Sequence, residues 1–123
     1  MILKIRQEQV ALLDGEMRER FIERTLAGLP AVFPDDPRVR DERAMRALIE
    51  DGIARAAGFR ITGAREVSLF VFLLHEYGPD FEEQEGRGWM GRILWDRGLG
   101  EGEKMDLIYT RLELASSRGG RPE

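Results

Sequence analysis

The chain has 123 residues, of which 42% are hydrophobic and 34% charged, and its formal net charge is −4. This length fits one domain with a single core, and the absence of cysteine excludes disulfides and Cys-ligated zinc or iron–sulfur sites. Acidic and basic residues are interspersed, so no surface of one sign is predicted to follow a nucleic-acid backbone. Nucleic acid is therefore not an expected partner.

No secretory signal and no membrane-spanning segment are predicted from the sequence. Residues 1–6 lack the charged and apolar regions of a secretory signal, and the longest apolar run, residues 69–74, is far too short to span a membrane. No membrane partner is expected, and the expected location is the cytoplasm.

A first amphipathic helix is predicted over residues 6–27, where apolar positions recur at steps of three and four residues. Prolines then predict a connection over residues 29–38, because each removes a backbone donor and restricts the residue before it. Val32 and Phe33 are apolar enough to pack on the core, so we expect this connection to be ordered. The three prolines are Pro30, Pro34 and Pro37.

A second helix is predicted over residues 41–57, with an apolar stripe that includes Gly52. A glycine in that stripe would let a neighbouring helix approach closely. Gly58 follows as the expected left-handed C-terminal residue, and Phe59 or Ile61 is expected to fold back as the accompanying hydrophobic contact.

A third helix is predicted over residues 63–77, with Thr62 as its N-cap and Gly78 and Pro79 at its end. Residues 67–74 are apolar nearly all round, so their composition would also allow a buried strand. The length between cap and stop, and the lack of a partner strand elsewhere in the sequence, favour the helix. We expect this helix to be the centre of the fold.

A shorter helix over residues 88–96, a glycine-rich link over 97–102 and a last helix over 103–115 complete the prediction. Residues 116–123 form a polar tail that is expected to be flexible. The sequence therefore predicts an all-α fold, in which a single domain of residues 1–115 is a compact bundle of about five helices around the third one.

His75 is the only histidine in the sequence, and Glu76 follows it. The pair could act as a general base, which would make the protein a small enzyme or ligand-binding protein that uses these two residues and the acidic loop after them. The favoured interpretation is a partly buried imidazole near a helix C-terminus, where the negative end of the helix dipole stabilises it.

Asp80, Glu82, Glu83 and Glu85 form an acidic run. In a calcium-binding EF-hand loop, position 6 is glycine and position 12 is a bidentate glutamate. Counted from Asp80, those positions hold Glu85 and Gly91, so the pattern fails at two constrained places. The run is predicted to be an acidic loop between helices, and no metal or cofactor site is predicted.

Residues 77–95 combine aromatic residues with these acids. Tyrosine and tryptophan are frequent anchors of protein interfaces, especially next to complementary charge. Core packing is the favoured alternative for Trp89, whose stripe faces inward, whereas for Trp95 the two interpretations are even. The predicted partner-binding residues are Tyr77, Asp80, Phe81, Glu82, Glu83, Glu85, Trp89 and Trp95.

A resemblance to a known family is carried by residues 5–9, 45–56, 58–62, 65–67, 77–81, Trp89 and 104–109. In these residues and in the order of its elements, the chain resembles a family of small all-helical bacterial proteins of unknown biochemistry that are associated with type VI secretion spike and effector gene clusters. The resemblance covers most of the chain, departs from the family over residues 82–85, and implies an adaptor, a chaperone or an immunity protein for a secreted effector. That family has no agreed active site, so no catalytic residue is carried over.

Together these observations predict a non-catalytic protein that binds a protein partner, such as a secreted effector or a spike component. A structural protein that self-associates is a further alternative, which a concentration series in solution would reveal.

Overall fold

The computed structural model describes residues 15–119, and every regular element in that range is helical. Two short 3-10 turns, Pro37–Arg40 and Phe81–Glu83, lie in the connections after the first and third helices. The predicted all-α bundle is confirmed for these residues, and no helix among them is long and apolar enough to cross a membrane. The α-helices are α1 (Gly15–Val32), α2 (Glu42–Gly58), α3 (Ala64–Tyr77), α4 (Gly88–Leu94) and α5 (Glu101–Gly119).

Helix α3 is the central helix, as predicted. It contacts α2, α5 and the Phe81–Glu83 turn, so neighbours surround it on several sides. A helix that is apolar nearly all round needs such cover, because each face must be removed from water. Five of its apolar side chains are buried: Val67, Phe70, Val71, Leu73 and Leu74.

Gly52 lets α2 and α3 approach closely, which confirms the interpretation of its place in the α2 stripe. A Cβ atom at this position would lie 2.6 Å from Val71 Cγ2 and 3.3 Å from Leu74 Cδ1. The hydrogen of glycine is therefore what allows the two helix backbones to pack at this crossing.

Helix α1 continues through Pro30 to Val32, so the prediction that a connection begins at Leu29 was wrong. Leu29 is fully buried, and its carbonyl accepts a hydrogen bond from the amide of Phe33 at 2.9 Å, which holds the final turn. A proline this close to a helix end removes one donor without ending the helix. Val32 is exposed rather than docked, whereas Phe33 packs on the core. Residues 6–14 of the predicted helix lie outside the described residues.

Helix α2 ends in a Schellman motif whose left-handed residue is Arg60, with φ of 67°, and not the predicted Gly58. The amide of Ile61 donates to Ala56 O, and that of Arg60 donates to Ala57 O, both at 2.9 Å. These are the two hydrogen bonds that define the motif. Ile61 is fully buried, as predicted, and its burial sets which residue takes the left-handed position.

Helix α3 begins without the predicted Thr62 cap. Its N-cap is Gly63, which has no side-chain cap. Glu101 of α5 replaces that cap, because its Oε1 accepts the amides of Thr62 and Gly63, both at 2.9 Å. The predicted end of α3 is confirmed by Gly78, with φ of 99°.

The last two helices differ from the prediction at their ends. Helix α4 stops at Leu94, whereas α5 begins at Glu101 and extends to Gly119, beyond the predicted end at residue 115. The early start of α5 is stabilised by Glu103, whose Oε1 accepts the amide of Gly100 at 2.8 Å, as the glutamate of a capping box does. The first residues of the predicted tail are thus helical, and residues 120–123 lie outside the described range.

Candidate functional site

Two residues of the predicted binding segment face the core instead of solvent. Phe81 is fully buried, and its ring centroid lies 5.4 Å from that of Phe70 on α3. Glu82 is also buried, beneath the backbone of α4 at Gly91. The prediction that Phe81 and Glu82 contribute to an exposed surface was therefore wrong. A short 3-10 turn has no periodicity from which the sequence could indicate which residues point inward.

The acidic run divides into a buried and an exposed part. Arg55 Nη2 lies 3.4 Å from Glu82 Oε2 and 3.7 Å from Asp80 Oδ1. The other carboxylate oxygen of Glu82 is buried without a hydrogen-bond partner among the described residues. Asp80, Glu83 and Glu85 are exposed. Glu82 is thus part of the packing between α2 and the turn, and the other three acids remain on the surface.

Tyr77 and Trp89 are half-buried, and each has an arginine over its ring. Arg87 Cζ lies 4.3 Å from the centroid of Tyr77, and Arg111 Cζ lies 4.2 Å from that of Trp89. Gln84 holds Arg87 in place, because it accepts a hydrogen bond from that guanidinium and donates one to the carbonyl of Tyr77. These cation–π contacts cover one face of each ring and leave its edge at the surface.

Trp95 is 63% exposed, the largest exposed fraction of any large hydrophobic residue within residues 15–119. It caps the C-terminus of α4, where its amide donates to Gly91 O at 2.9 Å. Its ring contacts the buried Phe59 edge to face, with centroids 4.7 Å apart. The ring therefore has an aromatic contact with the core while most of its surface faces water.

A pocket of about 190 Å³ lies beside Trp95, and its lining includes Arg60, Arg97 and Lys104. Lys104 is only 3% exposed, and its ammonium donates to the carbonyl of Phe59 at 2.9 Å. Burial lowers the pKa of Lys104, and the nearby guanidinium of Arg60 lowers it further.

Sequence reasoning missed this pocket because its cations come from three separate segments. One feature of the sequence could have drawn attention to Lys104. It is one of two lysines among 19 lysine and arginine residues, and it precedes Met105, which faces the core.

His75 pairs with Asp36 and not with Glu76. Its Nε2 lies 2.9 Å from Asp36 Oδ2, its side chain is 3% exposed, and its ring centroid is 4.7 Å from that of Phe33. The hydrogen bonds of Arg38 to Asp36, aided by that of His75, hold the pKa of this carboxyl well below its usual range. The favoured interpretation of a buried imidazole is confirmed, but the chain segment that holds it is the α1–α2 connection.

Within residues 15–119 no group of three or more His, Asp or Glu side chains is placed to hold a metal ion. Comparison of the chain with family models, with curated proteins and with solved structures finds no match. The class that the structure defines is an all-α helical bundle, and its candidate site is the exposed Trp95 with the pocket beside it.

Proposed function

We propose that the protein is a non-catalytic accessory protein that binds a protein partner in the cytoplasm. We further propose, from the resemblance described above, that the partner is a secreted effector or a spike component of a type VI secretion system. Adaptor, chaperone and immunity roles share this stoichiometric binding, so the geometry of the binding surface bears on all three.

The observation that carries the proposal is the exposure of Trp95. An exposed aromatic ring is unfavourable, because burying apolar surface contributes roughly 25 cal/mol for each Å² removed from water. The edge contact with Phe59 favours one position of the ring, which reduces the conformational entropy lost when a partner covers it. Tryptophans are frequent anchors of protein interfaces.

The exposed acids can belong to the same interface as Trp95. Helix α4 has seven residues and is therefore about 10 Å long, with Trp95 at its C-terminal end and the segment of residues 77–87 leading into its N-terminal end. A standard interface covers roughly 800 Å² on each partner, which as a circular patch is about 30 Å across and so exceeds this distance. Asp80, Glu83 and Glu85 would then lie toward its polar rim.

Affinity purification from the native host, followed by mass spectrometry, tests the proposal. The tagged wild-type protein and a Leu114→Ala variant should enrich the same partner, whereas Trp95→Ala should lose it. Leu114 is the matched control, because it is 56% exposed but lies on α5. Thermal denaturation of each variant should first show that it folds. Equal recovery with Trp95→Ala would contradict the proposal.

The identity of the partner separates the roles. A neighbouring gene product that is toxic alone and harmless with this protein indicates immunity, whereas loss of secretion on deletion, without self-poisoning, indicates an adaptor or chaperone. A second copy of this chain as the sole recovered partner, with a concentration-dependent mass in solution, would indicate self-association instead.

A further inference from the structure

The pocket beside Trp95 is positively charged, although the chain as a whole carries a net charge of −4. Arg60, Arg97 and Lys104 all line it. The two acids that most affect Lys104 are already engaged by backbone amides: Asp96 Oδ1 accepts from Gly98 at 2.8 Å, and Glu101 Oε1 accepts from the start of α3. The cations of the pocket therefore face an opening lined by no acid.

Lys104 has more N–H donors than the described protein groups accept. An ammonium has three N–H donors, and within residues 15–119 the hydrogen bond of Lys104 is the one to Phe59 O. No acid among these residues lies within ion-pair distance of Lys104. A buried ammonium with no acid in contact is unfavourable, and an anion in the pocket would relieve that cost.

Arg60 has a backbone conformation that is unfavourable for a residue with a side chain, although the Schellman motif at this position accepts glycine. Among residues 15–119 it is the one non-glycine residue with positive φ, at a position of the Schellman motif where glycine or asparagine is usual. Such a conformation costs on the order of 1 kcal/mol for an L residue. Glycine would satisfy the motif at lower cost. What arginine adds at this position is its side chain, which lines the pocket.

We propose that this pocket binds a carboxylate, and that the carboxylate belongs to an acidic segment of the protein partner whose adjacent surface covers Trp95. This inference rests on the proposed function, since it names the chemistry that the partner presents. The volume of about 190 Å³ is many times the roughly 10–15 Å³ that one water requires, so the pocket has room for a carboxylate and its methylene stem. Its three cations supply charge-assisted donors, and Trp95 lies at its edge.

Fluorescence titration tests the proposal without the partner. In a Trp89→Phe background, Trp95 is the only tryptophan and reports on the pocket. Blocked tetraglutamate should change the emission of Trp95 and saturate, whereas blocked tetraglutamine should not. Titration with acetate and with inorganic phosphate tests the alternative that the pocket binds a small anion free in solution. Binding of those ions without binding of tetraglutamate would overturn the assignment to an acidic segment.

The variants connect binding to the pocket. Lys104→Met, which keeps the buried stem, and Arg97→Gln should each weaken tetraglutamate binding by roughly tenfold, the loss of one charge-assisted hydrogen bond. Arg43→Gln is the matched control, because it is exposed at the other end of α2, about 22 Å from Gly58. Wild-type affinity in the two pocket variants would overturn the proposal.

Arg60→Gly gives the sharpest test, because stability and binding should change in opposite directions. The variant should raise the melting temperature by removing the strained conformation and should weaken tetraglutamate binding. Unchanged binding would exclude Arg60 from the site. If tetraglutamate fails to bind while Trp95→Ala still abolishes partner capture, the pocket inference is wrong and the proposed function stands. If tetraglutamate binds but no partner is captured, the proposed function is what fails.

Discussion

His75 Nε2 on α3 lies 2.9 Å from Asp36 Oδ2, which ties the last turns of the central helix to the connection between α1 and α2. Arg38 holds the same carboxylate with its Nε and Nη2 atoms and its backbone amide. Phe33 packs against the imidazole ring. The proline-containing connection between α1 and α2, which includes the 3-10 turn Pro37–Arg40, is thus held on the bundle by one carboxylate that pairs with His75 and with the side chain and backbone amide of Arg38.

This arrangement predicts an acid-dependent stability. The pKa of Asp36 is lower in the folded protein than its usual value of 3.8, so ionisation of this carboxyl favours the folded state. Its contribution is present at neutral pH and is lost as the pH falls below about 4. Urea denaturation should show that Asp36→Asn is less stable than wild type at pH 7, and that this difference shrinks toward pH 2.

Asp35→Asn is the matched control, because Asp35 is the exposed neighbour in the same connection. It should leave the acid dependence of wild type unchanged. A difference between wild type and Asp36→Asn that stays constant, or grows, on acidification would contradict the role given to the carboxylate.

The contact between α2 and α3 predicts a large effect at Gly52. Gly52→Ala would place a Cβ atom 2.6 Å from Val71 Cγ2, and the β-branched valine has little freedom to move. The helices must separate, so the free energy of unfolding should fall by about 1–3 kcal/mol in chemical denaturation.

Gly28→Ala is the control for helix propensity. Gly28 lies inside α1, and a Cβ atom there would meet nothing within 4 Å. That substitution should stabilise the protein by up to about 1 kcal/mol. Equal effects at the two glycines would mean that the close approach does not limit packing.

Because the carboxylate of Glu82 is buried, removing its partner Arg55 should lower the stability more than removing one partner of a surface ion pair. Arg55→Met should destabilise the protein by roughly 3 kcal/mol, because it leaves Glu82 buried without its cation. Adding Glu82→Gln should recover part of that loss by removing the charge. Arg46→Met is the comparison, since its partner Glu19 is half-exposed, and surface pairs contribute less than about 1 kcal/mol. A double variant no more stable than Arg55→Met in equilibrium denaturation would count against this account.

The sequence predicts the helical core well because the signals for α2 and α3 are local. Periodicity, together with the Gly-Pro stop at Gly78 for α3, places both helices to within a residue or two of their observed bounds. The errors arise where long-range packing selects among local options. Burial of Ile61 assigns the left-handed position to Arg60, and Glu101, from a distant segment, replaces the Thr62 cap.

The candidate site was harder to predict for the same reason. Aromatic and acidic residues over residues 77–95 indicated a surface, but Phe81 packs against Phe70 and only the structure shows that inward direction. The cations beside Trp95 come from three connections or helix ends, so no spacing in the sequence joins them. For Trp95, the sequence left core packing and a surface position equally favoured, and the structure shows that the ring is exposed.

The division of the acidic run predicts how substitutions will affect binding kinetics. Exposed charges at an interface rim mainly set the association rate, whereas an anchored aromatic residue mainly sets the dissociation rate. We expect these acids to meet basic residues of the partner, whereas the partner's acidic segment enters the pocket. Replacing Asp80 by Asn, and Glu83 and Glu85 by Gln, should therefore slow association severalfold and weaken its dependence on salt. Trp95→Ala should speed dissociation by roughly thirtyfold, the effect of losing an interface hot spot of about 2 kcal/mol.

Phe81→Ala is the contrast that separates binding from folding. Because Phe81 is fully buried against α3, its removal should lower stability by about 3–5 kcal/mol, whereas Trp95→Ala should change stability little. Surface plasmon resonance with the captured partner, at several salt concentrations, measures both rates for the variants that fold. If Trp95→Ala and the triple acid variant keep wild-type kinetics, the partner binds elsewhere. The exposed face of α1, which includes Met17 at 48% exposure, is then the next surface to test.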